Sequence, residues 1–264
     1  MSRFCNTLAY GLGIAAISIG LVACSDGELR SGLQADWFIQ TQPINHDPQP
    51  AGPKQWTTTE GVEIRLTAGW LVPSRADLSL DCDQPGFVRW DWPSWMGLGR
   101  AHAHIPASPT RLGTPTVVDL LRADDVPLAL GLISPLPQTY CGSDWGIFAA
   151  DEDAVGLQDA PQLLGLSVLL QGHYGPEQTP FELRTSRSLS PVQRRFPALQ
   201  SLSVPGQQLQ LTLNLAYDTW FDGVDMDALA RGEDSAVVQV LQAITRTAQV
   251  GVLPREAQES AGRS

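Results

Sequence analysis

The chain reads as an antiparallel β-sandwich, or a barrel-like relative of one, closed by a C-terminal helix. Three observations carry that fold class. Apolar and polar residues alternate in "VEIRLT" and in "QQLQLTLNLAY", the pattern of strands buried on one face. Turn-forming Gly, Pro, Asn and Asp residues recur between such runs, which favours antiparallel neighbours joined by short connections. A 3.6-residue period appears mainly near the end of the chain.

The elements follow in order. Val62, Ile64 and Leu66 face one way and Glu63, Arg65 and Thr67 the other, giving a first half-buried strand. Leu78 and Leu80, leading into Cys82, mark a second. "GFVRWDW", "AHAHI", "VPLALGLI" and "GIFAA" after Cys141 supply the next four. Leu166, Val168 and Leu170 fit a seventh strand. Phe181 and Leu183 mark an eighth, followed by an Arg- and Ser-containing stretch that reads as a long surface connection. In "QQLQLTLNLAY" Leu209, Leu211, Leu213, Leu215 and Tyr217 share one face. Asp234 can cap a helix whose Val237, Val240, Leu241 and Ile244 fall at i, i+3, i+4 and i+7. "TVVDLLRAD" has the pattern of a short helical turn. The resulting organisation is a leader over 1–23, a tether over 24–57, a β-sandwich domain over 58–233, a helix over 234–250 and a disordered tail over 251–264. The tether reading rests on the prolines and glycines of "TQPINHDPQPAGPKQW", with Trp37, Phe38 and Ile39 as its residues able to pack on the domain. The tail reading rests on "REAQESAGRS", which has no apolar face.

The first residues, "MSRFCNTLAYGLGIAAISIGLVACSD", place Arg3 ahead of an apolar run from Leu8 to Ala23. That is a secretory signal, too short and too glycine-rich for a permanent span. Leu21, Val22 and Ala23 before Cys24 resemble the lipobox of bacterial lipoproteins. The resemblance implies cleavage before Cys24 and lipid on its thiol. Ser25 in the next position is similar to the sorting pattern that directs such proteins to the outer membrane. Acyl chains on one cysteine anchor durably, since each buried methylene contributes about 0.8 kcal/mol.

With Cys5 in the leader and Cys24 carrying lipid, Cys82 and Cys141 remain in the mature globule. An oxidising envelope compartment should join them in a disulfide. The full chain has 264 residues, 28 acidic and 17 basic side chains and a formal net charge of −11. Loss of Arg3 with the leader leaves 28 acids against 16 bases, a net charge of −12, and Lys54 is the only lysine. Such a balance argues against nucleic acid as a partner.

His102 and His104 in "GRAHAHIPASPTRLG" are the sharpest candidate for chemistry. On a strand, period-two geometry puts both imidazoles on one face, their Cβ atoms roughly 7 Å apart, within reach of one divalent ion. Further ligands must come from elsewhere: His173 in "QGHYG" first, then His46, Asp91, Asp119, Asp222, Asp225 and Asp227. Because the cysteines pair and only Met96 and Met226 remain, Cu(II) or Zn(II) suits the site better than Cu(I). A solvent-facing histidine pair is the other reading of the same spacing. "WFDGVDMD" does not follow the order of an EF-hand loop, so its carboxylates read as an acidic turn bonding nearby backbone N–H groups. Trp220 and Phe221 there read as core closure. Trp90 and Trp92 in "RWDWPSW" share a strand face; exposed, they form a stacking platform for sugar rings, and buried, they fill the core. No G-x-S-x-G elbow, H-E-x-x-H helix or glycine-rich phosphate loop occurs, so catalysis is not expected.

"SPLPQTYCGSDWGIF" and "LTLNLAYDTWFDGVD" together resemble segments of MbnP-like periplasmic copper-binding proteins, with the similarity running from Val62 to Leu229. The resemblance implies a β-rich periplasmic module with copper held by histidines. Some members of that family have an oxidised tryptophan two residues before a histidine. Here Arg100 stands two before His102, and the nearest tryptophan is Trp95, so that ligand is not implied. The expectation is an outer-membrane-anchored lipoprotein that captures or delivers copper or zinc through His102, His104 and His173. The alternative is a metal-free module that recognises a glycan or an envelope protein through Trp90 and Trp92.

Overall fold

The computed structural model describes residues 33–80, 82, 108–202 and 208–254. Its architecture is mainly β, in three antiparallel-rich sheets that stack as a sandwich and do not close into a barrel. Sheet A has the order β13 (Gln249–Pro254), β12 (Gln208–Leu215), β1 (Gln34–Thr41), β7 (Leu128–Ile133). Sheet B runs β10 (Thr179–Thr185), β9 (Val168–Tyr174), β3 (Glu63–Leu71), β2 (Lys54–Thr57), with the short β6 (Val118–Asp119) also paired to β3. Sheet C runs β11 (Leu189–Leu202), β8 (Gln138–Ile147), β4 (Pro73–Ser79), β5 (Arg111–Leu112). A single residue, Val72, separates β3 from β4, so sheets B and C share one bent run of chain. The main core draws on all three sheets: Trp37, Ile39, Leu211 and Leu213 from A, Ile64, Leu66 and Leu183 from B, and Trp145 and Ile147 from C. Helix α2 (Asp234–Thr247) adds Val240, Leu241 and Ile244 at the spacing expected from the sequence, and the five-residue α1 (Met226–Ala230) packs beside β10. Among the described residues no helix is long and apolar enough to cross a membrane.

Several expectations are corrected. The stretch read as a tether is structured from Gln34 onward, because Ala35, Trp37 and Ile39 alternate inward along β1 and β2 continues the domain. Strand β1 pairs with β12 in parallel, Trp37 against Leu211 and Ile39 against Leu213, so the sheet is not purely antiparallel. Leu80, expected to share the inward face of Leu78, is 54 % exposed. The stretch after Leu183 is not a surface connection throughout: Leu189–Leu202 forms β11, an edge strand whose register against β8 shifts twice. Pro197 lies in the second shift, where a missing N–H is tolerated. "TVVDLLRAD" forms β6 and a turn instead of helix. Helix α2 ends at Thr247, and the next residues become β13, so the segment from Gly251 to Pro254 belongs to sheet A and not to a tail. The expected strands "GFVRWDW" and "AHAHI", the leader and Cys24 lie outside the described residues.

Between β1 and β2 the chain makes no regular structure, and side chains hold it in place. Lys54, the only lysine in the sequence, is fully buried, as is its partner Asp124, with Nζ 3.0 Å from Oδ1. The ammonium also donates to the carbonyls of Gln49 and Pro50 at 3.2 and 3.0 Å, which uses its three donors. The Asp124 carboxylate accepts from Thr41 Oγ1 at 2.7 Å, Gln49 N at 2.7 Å and the Tyr217 hydroxyl at 2.9 Å. Burial and this carboxylate push the Tyr217 hydroxyl far above its ordinary range, so it remains a donor. Its ring meets Trp56 edge-on at 5.2 Å, and Trp56 in turn lies 5.9 Å from Phe221. A second buried carboxylate, Asp218, takes the backbone N–H of Ile44 at 3.0 Å and of Asn45 at 2.6 Å.

Cys82 and Cys141 form the expected disulfide, with Cα atoms 6.0 Å apart. It ties the chain just beyond β4 to β8. At a sequence separation of 59, its loss should cost about 4 kcal/mol in the chain-entropy model, measurable as a lower urea midpoint for Cys82→Ser/Cys141→Ser. Removing one member of the buried pair, as in Asp124→Ala, should cost about 3–5 kcal/mol because it strands a charge. The Lys54→Met/Asp124→Leu double variant should recover only the part of that loss due to the stranded charge in the same urea titration, because the donors of Thr41, Gln49 and Tyr217 lose their acceptor.

Candidate functional site

Only some of the expected metal ligands lie among the described residues. His102, His104, Trp90, Trp92 and Asp91 lie outside the described residues. His173 sits on β9 with Arg65 of β3 opposite on one side and Pro180 of β10 on the other. A guanidinium in that position opposes a metal cation. His46 lies in the clamped segment, its Nε2 buried without a hydrogen-bond partner. The other candidates serve the backbone or a neighbouring hydroxyl: Asp119 accepts from Leu121 N at 2.8 Å, Asp222 from Thr59 N at 3.1 Å, Asp225 from Ala228 N at 2.9 Å at the start of α1, and Asp227 from the Tyr174 hydroxyl. Among the described residues no three His, Cys, Asp or Glu side chains gather as a metal site. Trp220 and Phe221 are buried, as core closure requires.

A different constellation emerges on sheet C. Strand register places Arg111 of β5, Asp77 of β4, Asp144 of β8 and Gln193 of β11 in one rung across four strands. Arg75, two residues before Asp77, falls on the same face. Ala76, Leu78, Trp145 and Ile147 enter the core, which leaves the alternate positions of β4 and β8 for polar residues. Asp77 is the hub. Its Oδ2 accepts from Arg111 Nε at 2.7 Å and Nη2 at 2.6 Å, and lies 3.5 Å from Arg75 Nη2. The Asp77 side chain is only 10 % exposed, and its Oδ1 has no hydrogen-bond partner. Arg75 Nε is likewise buried and unpartnered. Burial, followed by repulsion from Arg111, lowers the pKa of the Arg75 guanidinium from its ordinary value. Gln193 Nε2 bonds Ser79 Oγ at 2.8 Å and closes the far end of the row.

Asp144 differs from its neighbours. Its side chain is half-buried and makes no hydrogen bond among the described residues. Burial raises its carboxyl pKa, and the nearby Asp77 carboxylate adds to the shift, while Arg75 and Arg111 pull it back. The two guanidinium groups balance the two carboxylates when Asp144 is ionised. A carboxylate that is partly desolvated and left without donors is costly to the fold, and its free oxygens are acceptors for something that approaches from outside.

No family model, curated protein or solved structure matches this chain. The geometry of the chain itself therefore carries the functional reading. Among the described residues a cavity between sheets A and C is lined by residues that include Trp37, Ser74, Leu112, Thr116 and Leu130; its volume is ≈ 10 Å³, room for about one water. The sheet C face is thus the better candidate for a ligand surface.

Part of this face was legible in "SRADLSL", whose alternation puts Arg75, Asp77 and Ser79 on a polar side. No local signal pairs that stretch with Asp144 and Arg111, which belong to other strands. The sign of the Asp144 effect on stability is defined. Its folded pKa lies above the unfolded value, so the ionised form weakens the fold at neutral pH, and the penalty fades as pH falls through the folded pKa. Asp144→Asn should therefore raise the melting temperature at pH 7. The gain should shrink towards zero below pH 3.8, the ordinary value of the group, in a series of thermal melts against pH.

Proposed function

We propose that the protein is a non-enzymatic binding module of the cell envelope. It is anchored through lipid on Cys24 at the outer membrane, faces the periplasm, and holds its ligand against the outer face of sheet C. One observation supports the binding role: among the described residues the half-buried Asp144 side chain accepts no hydrogen bond, and it stands beside two guanidinium groups already positioned by Asp77. A group that weakens the folded chain and leaves its hydrogen-bonding capacity unused among the described residues is what a ligand-contacting residue looks like in the free protein. The rigid strands that carry it provide the preorganisation that recognition needs. The leader and the lipobox resemblance at Leu21–Cys24 support the anchor.

Two measurements test this reading. A thermal-shift screen of small polar compounds should find ligands that stabilise the wild-type protein but not Asp144→Asn. Ligands that stabilise both equally would locate binding elsewhere and reject the sheet C face. Cell fractionation should move Cys24→Ala from the membrane to the soluble periplasmic fraction, and unchanged fractionation would reject the anchor. An untagged preparation carrying stoichiometric copper or zinc, lost in His102→Ala/His104→Ala, would replace the reading with metal capture.

A further inference from the structure

We infer that the ligand of the sheet C face is an uncharged polyhydroxyl compound, a sugar presenting neighbouring hydroxyl groups to Asp144, Arg75 and Arg111. This inference rests on the binding role proposed above and specifies its chemistry.

Charge comes first. Around Asp144 the face carries two guanidinium groups, Arg75 and Arg111, and two carboxylates, while Arg195, one rung further along β11 on the same face, donates from its guanidinium to the Cys82 carbonyl. An anion meets Asp144 and Asp77, and a cation meets Arg75 and Arg111, so either ion gains one attraction at the cost of a repulsion. A neutral ligand avoids both. Hydrogen-bond inventory comes second. An ionised carboxylate only accepts and a guanidinium only donates, so the complementary ligand must do both over a short distance. A hydroxyl group has one donor and two acceptor positions, and two neighbouring hydroxyls can bridge Asp144 to a guanidinium. Composition comes third. Arg75, Asp77, Ser79, Arg111, Asp144 and Gln193 are all polar. A protein partner is normally anchored by buried aromatic or aliphatic side chains, which these positions do not offer.

The test is isothermal titration of the full mature chain. The probes are a panel of neutral hexoses, pentoses and N-acetylhexosamine oligomers, with inorganic phosphate as the anionic probe, putrescine as the cationic probe and an extended neutral peptide. At least one neutral sugar should bind, with affinity reduced about ten-fold by Asp144→Asn and by Arg75→Gln, the loss expected for a hydrogen bond to a charged group. Circular dichroism should show both variants folded. Asp144-dependent binding of phosphate, putrescine or the peptide in place of sugar would overturn the ligand class while keeping the sheet C face as the binding surface. Absence of any Asp144-dependent binding across the panel would overturn the ligand class as well as the proposed binding role.

Discussion

The fold depends on a charge pair that its own sequence makes conspicuous. Lys54 is the single lysine of the chain, and it is buried with Asp124 at 3.0 Å. Such a pair is costly to desolvate, and it is tolerated only when every donor and lone pair around it is used. Here the ammonium reaches two carbonyls as well as the carboxylate, and the carboxylate takes Thr41, Gln49 and Tyr217. The consequence is geometric. Thr41 ends β1, Lys54 opens β2, Asp124 lies between β6 and β7, and Tyr217 follows β12. One buried network therefore fixes the relation of sheets A and B and holds the irregular segment between them.

Sheet C uses the same residue types differently. Asp77, like Asp124, is a buried carboxylate paired with cationic side chains, yet among the described residues it leaves Oδ1 without a hydrogen bond, and the side chain of its neighbour Asp144 has none. The contrast separates two roles that composition alone cannot. A fully satisfied buried network orders the chain, and an incompletely satisfied one at a partly exposed surface can complete itself with a ligand. The disulfide at Cys82–Cys141 lies three residues from Asp144 along β8. It restrains the strand that presents the open carboxylate, and the sheet thus offers a preformed surface.

Strand content was legible wherever one face of a strand is buried. Ile64 and Leu66 in β3, and Leu209, Leu211, Leu213 and Leu215 in β12, alternate as their burial does. Legibility failed where pattern and packing part company. The prolines and glycines between β1 and β2 imitate a linker because their order comes from distant side chains, Asp124 and Asp218. Strand β11 is hidden by Pro197 and by register shifts that break its alternation. The parallel pairing of β1 with β12 leaves no mark in either strand, since hydrophobic alternation does not record direction.

By itself the sequence determined the β class, the C-terminal helix, the cysteine pair and the acidic balance, because each follows from local periodicity, residue type or count. It also carried patterns that resemble a secretory leader and a lipobox ending at Cys24. Tertiary structure decided which charges meet. Lys54 finds Asp124 across 70 positions, and Arg111, Asp77, Asp144 and Gln193 align only because β5, β4, β8 and β11 are neighbours in that order. Strand order is set by how several faces pack at once, which no single segment encodes, so the rung proposed for recognition existed only after the sheet was assembled.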